Sequence, residues 1–274
     1  MAAPSVRTPS ERIWTAVLWG TSVLVFFFLL APILAIVPLS FSSGQFLTYP
    51  IPGFSLRWYA EFFQSEQWIG SLGNSLIVGI SATVLATALG TIASLGLVRA
   101  NFRGKGLIMG VLLSPMIVPL VITAVGFYFF FAPLGITATF PGLIIAHTAL
   151  AAPFVVVTVT ATLAGFDMNL ARASASLGAG PSTTFFKVIL PLIAPGVASG
   201  ALFAFATSFD EVVIVLFVAG PGQRTLPREM FSGIRENISP TITAVATILI
   251  LLSIVLLTAL ELLRRRNARM RGQG

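Results

Sequence analysis

Two adjacent carboxylates, Asp210 and Glu211, stand within a long apolar stretch and are the first candidates for chemistry. Catalysis or metal binding by carboxylates ordinarily needs further ligands or proton carriers, but the chain has one histidine, His147, and no cysteine. We therefore expect no catalytic residue, no metal site and no cofactor bound by this chain. His147 is predicted to be a hydrogen-bonded helix residue. The remaining roles for the two carboxylates are attraction of a cation and hydrogen bonding to a neighbouring helix or subunit.

The segments that carry these residues are apolar. Of the 274 residues, 56% are hydrophobic and 9% are charged, and the mean hydropathy is +0.97. A soluble domain carries about a quarter charged residues. Too little polar surface is available to cover a soluble globule, which excludes an ordinary soluble enzyme or binding module. The composition predicts a multi-pass membrane protein.

Six apolar stretches predict six transmembrane helices. Each has the ~20 residues that a helix needs to cross the hydrocarbon core. Alternation typical of strands is absent from the sequence, so we expect an all-α membrane protein rather than a β-barrel. The stretches cover approximately residues 14–41, 72–98, 107–131, 142–164, 192–219 and 241–263. They form one predicted membrane domain, residues 14–263, between an N-terminal tail, 1–13, and a basic C-terminal tail, 264–274.

The positions of Lys and Arg predict that both termini are cytoplasmic. With the N-terminus inside, 12 of the 16 basic residues lie on the cytoplasmic side, and the other four are Arg57, Arg224, Arg228 and Arg235. The C-terminal arginines are expected to hold the last helix against anionic lipid headgroups. We expect no nucleic-acid partner.

The internal loop between the fourth and fifth helices, residues 165–191, is predicted to contain two short helices. Asp167 is placed to cap the first helix, because its side chain can accept from free backbone amides. Gly178 can end that helix in a left-handed conformation, and Pro181 can begin the second one. Two short helices joined by a glycine suit a docking element for a soluble partner. An ordinary surface loop fits this geometry equally well.

The loop also resembles the EAA loop of permease subunits in binding-protein-dependent ABC importers. That family pattern is E-A-A-x3-G-x9-I-x-L-P. Gly178 holds its glycine, and after nine residues Val188, Leu190 and Pro191 fall on the I-x-L-P positions. Ala173 matches the first alanine.

The chain departs from this pattern at Arg172, in place of the glutamate, and at Ser174, in place of the second alanine. The resemblance implies a coupling helix that sits in a cleft of an ATPase, and Arg172 puts any salt link from the family's glutamate in doubt. The residues implied in coupling are Arg172, Ala173, Ser174, Leu177, Gly178, Ala179, Pro181, Leu190 and Pro191.

A second resemblance concerns the substrate. Asn74-Ser75-Leu76 looks like the N-S-L that opens the transmembrane domain of this family. The sequence around Asp210 and Glu211, SFDEVVIVLFVAGPGQRTLPREMF, is similar to that of the spermidine/putrescine importer permease group. The likeness covers approximately residues 70–263. It implies the type I ABC importer fold and a polyamine substrate. The same machinery carrying another small amine, an amino-acid derivative or an opine stays open.

The resemblance implies a set of partners in a bacterial inner membrane. They are a second homologous permease, a dimer of an ATP-binding subunit and a periplasmic substrate-binding protein. No P-loop, G-x-x-x-x-G-K-S/T, occurs in the chain, so ATP is expected on the partner ATPase. In this scheme Asp210 or Glu211 attracts an ammonium group in the outer half of the pathway, or both are structural.

Two rivals belong to other classes. An ion-coupled secondary carrier would show ionisable residues in both halves of its membrane domain, whereas only Asp210 and Glu211 qualify here. A membrane-embedded scaffold protein would predict uptake that is unaffected by ATP and by substitutions around Gly178.

Overall fold

The computed structural model describes residues 8–100, 102–236 and 239–270. These residues form helices, with an isolated antiparallel bridge between Ser42 and Phe54. Residues 1–7 and 271–274 of the predicted tails lie outside the described residues. The elements are α1 Pro9–Ser40, α2 Arg57–Gln64, α3 Glu66–Arg99, α4 Lys105–Ile117, α5 Leu120–Phe131, α6 Phe140–Ala164, α7 Met168–Ser176, α8 Pro181–Thr184, a π-helical turn Phe185–Ile189, α9 Leu190–Phe209, α10 Val213–Val218, a 3-10 turn Pro221–Gln223, α11 Leu226–Glu236 and α12 Thr241–Met270.

Four helical segments in the described part of the chain are long and apolar enough to cross a membrane. They are α1, α3, α6 and the continuous segment Pro181–Phe209, which joins α8, the π-helical turn and α9. The pair α4 and α5 passes the same test together, which gives five spans if the pair counts as one. The apolar part of α12, Thr241–Val255, is shorter. The all-α class is confirmed, whereas the six-span count and the cytoplasmic termini stay predictions.

The third predicted helix, residues 107–131, is broken in the structure. Helices α4 and α5 are bent by 107° relative to each other at a short gap. Val118 is extended, with φ −69° and ψ 132°, and Pro119 precedes the first residue of α5. Proline disfavours the helical conformation of the residue before it, which accounts for the break at this point.

The chain divides into two compact units, and the first comprises Met1–Gln64 and Gly233–Leu257. Helix α1 begins with a capping box in which Thr8 and Glu11 bond each other's backbone amides. The segment after α1 is held by Trp58, whose Nε1 donates to the Ser42 carbonyl at 2.7 Å. The Arg57 guanidinium lies 4.1 Å from the centroid of the Trp58 ring.

The second unit comprises Ser65–Ser232 and Thr258–Gly274, and its core is the packing of α3, α6 and α9. Small residues bring these helices close together. A Cβ added to Gly90 of α3 would lie 2.8 Å from the Val155 side chain on α6. A Cβ added to Gly200 of α9 would lie 3.1 Å from the Val155 Cα. Close backbone approach through small residues is typical of helix packing in membranes.

Candidate functional site

The first candidate site is the loop between α6 and α9, where the short helix α7 begins as the sequence predicts. Asp167 is its N-cap, and the Asp167 Oδ1 accepts a hydrogen bond from the Asn169 amide at 2.9 Å. This bond satisfies one of the free amides at the helix start.

Helix α7 ends in a turn at Gly178, whose φ is +82°. The Gly178 amide donates to the Ala175 carbonyl at 2.9 Å, and the Ala179 amide donates to the Ser174 carbonyl at 3.1 Å. This pair of bonds is the Schellman motif, which satisfies the last carbonyls of a helix and needs a left-handed residue. The predicted left-handed stop at Gly178 is confirmed.

The two short helices of the loop are tied to each other. Pro181 is at the start of α8, as predicted. The Ser174 Oγ on α7 and the Thr184 Oγ1 on α8 lie 3.0 Å apart and form a hydrogen bond. The π-helical turn follows, with the Leu190 amide donating to the Phe185 carbonyl. Pro191 comes next, and its lack of an amide hydrogen favours irregular bonding here.

The residues implied in coupling form a largely exposed surface. Ser174, Ala179 and Leu190 are half-buried, and the others, Arg172, Ala173, Leu177, Gly178, Pro181 and Pro191, are exposed. Leu177 is 88% exposed at the turn. The Arg172 side chain makes no hydrogen bond or ion pair with the described residues. The loop therefore presents an apolar tip on a hydrogen-bonded frame.

The second candidate site is the segment that contains the two carboxylates. The structure corrects one prediction about this segment. Asp210 and Glu211 were expected inside a continuous fifth helix, but α9 ends at Phe209 and α10 begins at Val213. The Glu211 Oε1 accepts a hydrogen bond from the Ile214 amide at 2.9 Å. A carboxylate at the start of a helix satisfies a free amide there, which favours a new helix over continuation of the old one.

The surroundings of the two carboxylates differ. Glu211 is 7% exposed and bonded to the start of α10. Asp210 is exposed, and its side chain makes no hydrogen bond or ion pair with the described residues. Only Asp210 is therefore free to meet a cation from outside the chain.

His147 lies next to this segment in space. It is fully buried on α6, and its Nδ1 lies 2.9 Å from the Oγ of Ser208, which precedes the end of α9 by one residue. The prediction of a hydrogen-bonded helix residue is confirmed. The partner is 61 residues away in the chain, so sequence spacing gave no signal for it.

The segment between α10 and α11, together with the first residue of α11, is bonded to the third turn of α3. The Asn74 Nδ2 donates to the carbonyls of Gly222 at 3.1 Å and Arg224 at 2.9 Å, and the Leu226 amide donates to the Ser75 Oγ at 2.7 Å. Sequence reasoning singled out Asn74-Ser75 as a family motif but missed this role.

Helix α11, which follows this segment, contains a nearly buried carboxylate. Glu229 is 7% exposed, accepts from the Gln67 Nε2 and pairs with the Arg224 guanidinium at 3.7 Å. Arg228 donates from Nη1 to the Ala219 carbonyl at 3.1 Å. Burial, followed by the charge of Arg224, lowers the pKa of Arg228 from its ordinary value. These contacts engage the side chains of Arg224, Arg228 and Glu229 with partners inside the chain.

Comparisons with known proteins define the class of the chain. The family described as the binding-protein-dependent transport system inner membrane component matches residues 86–269. The chain belongs to this family and is a transmembrane permease subunit of a binding-protein-dependent ABC importer in the inner membrane. It is a transport subunit and not an enzyme.

Similar proteins narrow the group. The spermidine/putrescine transport system permease protein PotC of Shigella flexneri is 34% identical over 253 residues, which is 92% of this chain and 96% of that one. The putrescine transport system permease protein PotI of Escherichia coli K12 is 36% identical over 254 residues, covering 90% of this chain and 88% of that one. The resemblance to the spermidine/putrescine permease group is confirmed.

Solved structures share the fold. A bacterial ABC transporter involved in alginate import superposes with a TM-score of 0.72 at 15% identity, covering 96% of this chain and 99% of that chain. An amino acid ABC transporter superposes with a TM-score of 0.56 at 19% identity, covering 76% and 95%. The predicted ABC importer permease fold is confirmed.

Proposed function

We propose that this chain forms part of the membrane pathway of an ATP-driven importer for polyamines such as spermidine or putrescine. The observation that carries the proposal is similarity along 92% and 90% of the chain to permeases named for these substrates. The structure supports it with an exposed carboxylate at the end of a spanning helix.

The proposed pathway needs other subunits. A second homologous permease completes the passage, a dimer of an ATP-binding subunit binds the nucleotide, and a periplasmic substrate-binding protein delivers the substrate. One structural neighbour is an alginate ABC transporter in complex with a periplasmic protein, which supports the last of these partners.

The loop from α7 to α8 is the proposed contact with the ATPase. Its Schellman turn and the Ser174–Thr184 bond give it a defined shape, and Leu177 at the turn offers an apolar side chain to a cleft. ATP binding closes the ATPase dimer and displaces this loop. The displacement rotates the spanning helices and opens the pathway outward.

Asp210 is the proposed attraction point for an ammonium group. It is exposed and unpaired among the described residues, while its neighbour Glu211 is occupied at the start of α10. An unpaired carboxylate near the end of a membrane helix attracts cations, and it binds weakly enough to release them because water screens the charge. Glu211 is assigned a structural role.

Competition for uptake tests the substrate. The rate of labelled putrescine uptake is measured in cells that produce the transporter. The measurement is repeated with an excess of unlabelled spermidine, another small amine, an amino-acid derivative or an opine. We expect spermidine to compete. Putrescine uptake no greater than that of cells lacking the transporter would reject the polyamine assignment, and uptake of a labelled opine or amino-acid derivative by the same cells would favour the same machinery with another substrate.

A further inference from the structure

We propose that His147 is a positioning residue, which acts through Ser208 to hold the outer end of α9 and thereby set the place of Asp210. The relevance to transport rests on the proposed role of Asp210 in attracting a cationic substrate. The positional claim itself depends on contacts within the second unit alone.

The contact between α6 and α9 is a seam of small residues. Every fourth residue of α9 is small and buried on this seam. These residues are Gly196, Gly200, Ala204 and Ser208. A Cβ added to Gly196 would overlap the Thr162 side chain on α6, and one added to Gly200 would lie 2.5 Å from the Thr158 Oγ1. Dispersion contacts between smooth surfaces fix separation well but fix sliding and rotation poorly. The His147–Ser208 hydrogen bond ends this seam with a directional contact.

Packing alone does not account for a histidine at this position. His147 is fully buried, and its Nε2 has no hydrogen-bond partner among the residues that the structure describes. A buried polar atom without a partner costs free energy, which an apolar side chain of similar size would avoid. The bond from Nδ1 to Ser208 is what the histidine contributes and an apolar residue lacks.

The bond reaches Asp210 through the last turn of α9. The Asp210 amide donates to the Ala206 carbonyl at 3.1 Å, so the Asp210 backbone is tied to the same turn as Ser208. On the other side, the Glu211 side chain is tied to the Ile214 amide. The exposed Asp210 carboxylate therefore lies between two backbone segments that are held by hydrogen bonds. His147 supplies the bond that holds the segment on the α9 side.

Cysteine labelling tests this inference without relying on transport. The chain has no cysteine, so D210C gives a single thiol at the position of interest. Its reaction rate with a charged maleimide is measured in the detergent-solubilised transporter, in the D210C background and with H147L, H147N or S208A added. Because one hydrogen bond is lost, we expect H147L and S208A each to change the rate by about fivefold. The double variant should match either single one.

Two variants separate positioning from general damage. Asparagine offers polar atoms near the place of Nδ1, so H147N should restore the rate. T158V removes a hydroxyl on the same seam that bonds within its own helix, to the Phe154 carbonyl, and should leave the rate unchanged. Equal rates in H147L, S208A and the D210C background, or failure of H147N to do better than H147L, would overturn the inference.

Uptake then separates the inference from the proposed function. With native Asp210, H147L and S208A should raise the half-saturating putrescine concentration more than they lower the maximal rate, and H147N should reverse this. A changed labelling rate with unchanged uptake would uphold His147 as a positioning residue and reject the role of Asp210 in attracting substrate.

Discussion

Asp210 and Glu211 are neighbours in sequence but have separate roles in the structure. Glu211 is 7% exposed, and its carboxylate accepts a hydrogen bond from the Ile214 amide in the first turn of α10. Asp210 is exposed and has no side-chain partner among the described residues. At the scale of single residues, Asp210 is thus the carboxylate that is available to a cation, and Glu211 holds the backbone next to it.

Removal of the Asp210 charge should weaken uptake of a cationic substrate. For D210N we expect a rise of about tenfold in the half-saturating putrescine concentration, equivalent to about 1.4 kcal/mol. The measurement is initial uptake at a series of concentrations. E211Q is the matched control, because its amide oxygen can still accept from the Ile214 amide. Uptake by D210N that equals uptake by E211Q at every concentration would contradict the assignment.

A second prediction for a single residue concerns Leu177 and its contact with the ATPase. Its side chain is 88% exposed, so L177D should leave the fold intact and disrupt docking of an ATPase cleft onto the loop. Recovery of the ATPase with the purified permease should fall severalfold, because burying the new charge is costly. L134D is the control, since Leu134 is 59% exposed and lies in the loop between α5 and α6. Undiminished ATPase recovery with L177D would argue against docking at this tip.

At the scale of elements, the turn between α7 and α8 depends on the backbone conformation of Gly178. Its φ of +82° disfavours residues with a Cβ, so G178A should cost about 1 kcal/mol locally. G180A is the matched control, because Gly180 has a φ of −67° and no atom within 4 Å of an added Cβ. We expect G178A to lower ATP-driven uptake and G180A to leave it near the native rate. The reverse order would show that the left-handed turn is unimportant for coupling.

The seam between α6 and α9 gives an element-scale prediction about stability. An added Cβ at Gly200 would lie 2.5 Å from the Thr158 Oγ1 and 3.1 Å from the Val155 Cα. Overpacking of this kind costs about 1–3 kcal/mol, so G200A should lower the thermal midpoint of the solubilised protein. Gly73 of α3 has no atom within 4 Å of an added Cβ, and G73A is the control. A midpoint unchanged by G200A would mean that the helices separate easily.

For the whole molecule, the long helices were predictable because long apolar runs without charges specify membrane helices. Pro119, which accounts for the break of the third predicted helix between α4 and α5, is likewise a local signal, since proline acts on its own neighbours in the chain. The Asp167 cap and the Gly178 turn were predictable for the same reason, because both depend on local hydrogen bonds and backbone conformation.

Features that depend on distant partners were missed. No proline or glycine marks the break after Phe209, which is associated with the Glu211 side chain at the start of α10. The His147–Ser208 and Asn74–Arg224 bonds join residues 61 and 150 positions apart, and one sequence offers no signal for such pairs. The sequence therefore limits the carboxylate that could attract a cation to two residues, Asp210 and Glu211. The structure is needed to choose between them.

The most direct test of the account is reconstitution of this permease with its co-purified partners in proteoliposomes. Uptake of labelled putrescine is measured with the external binding protein, with and without ATP on the side of the ATPase and with and without an ion gradient. The account predicts uptake that requires both ATP and the binding protein and is indifferent to the gradient. Uptake driven by an ion gradient, without ATP and by this chain alone, would contradict it.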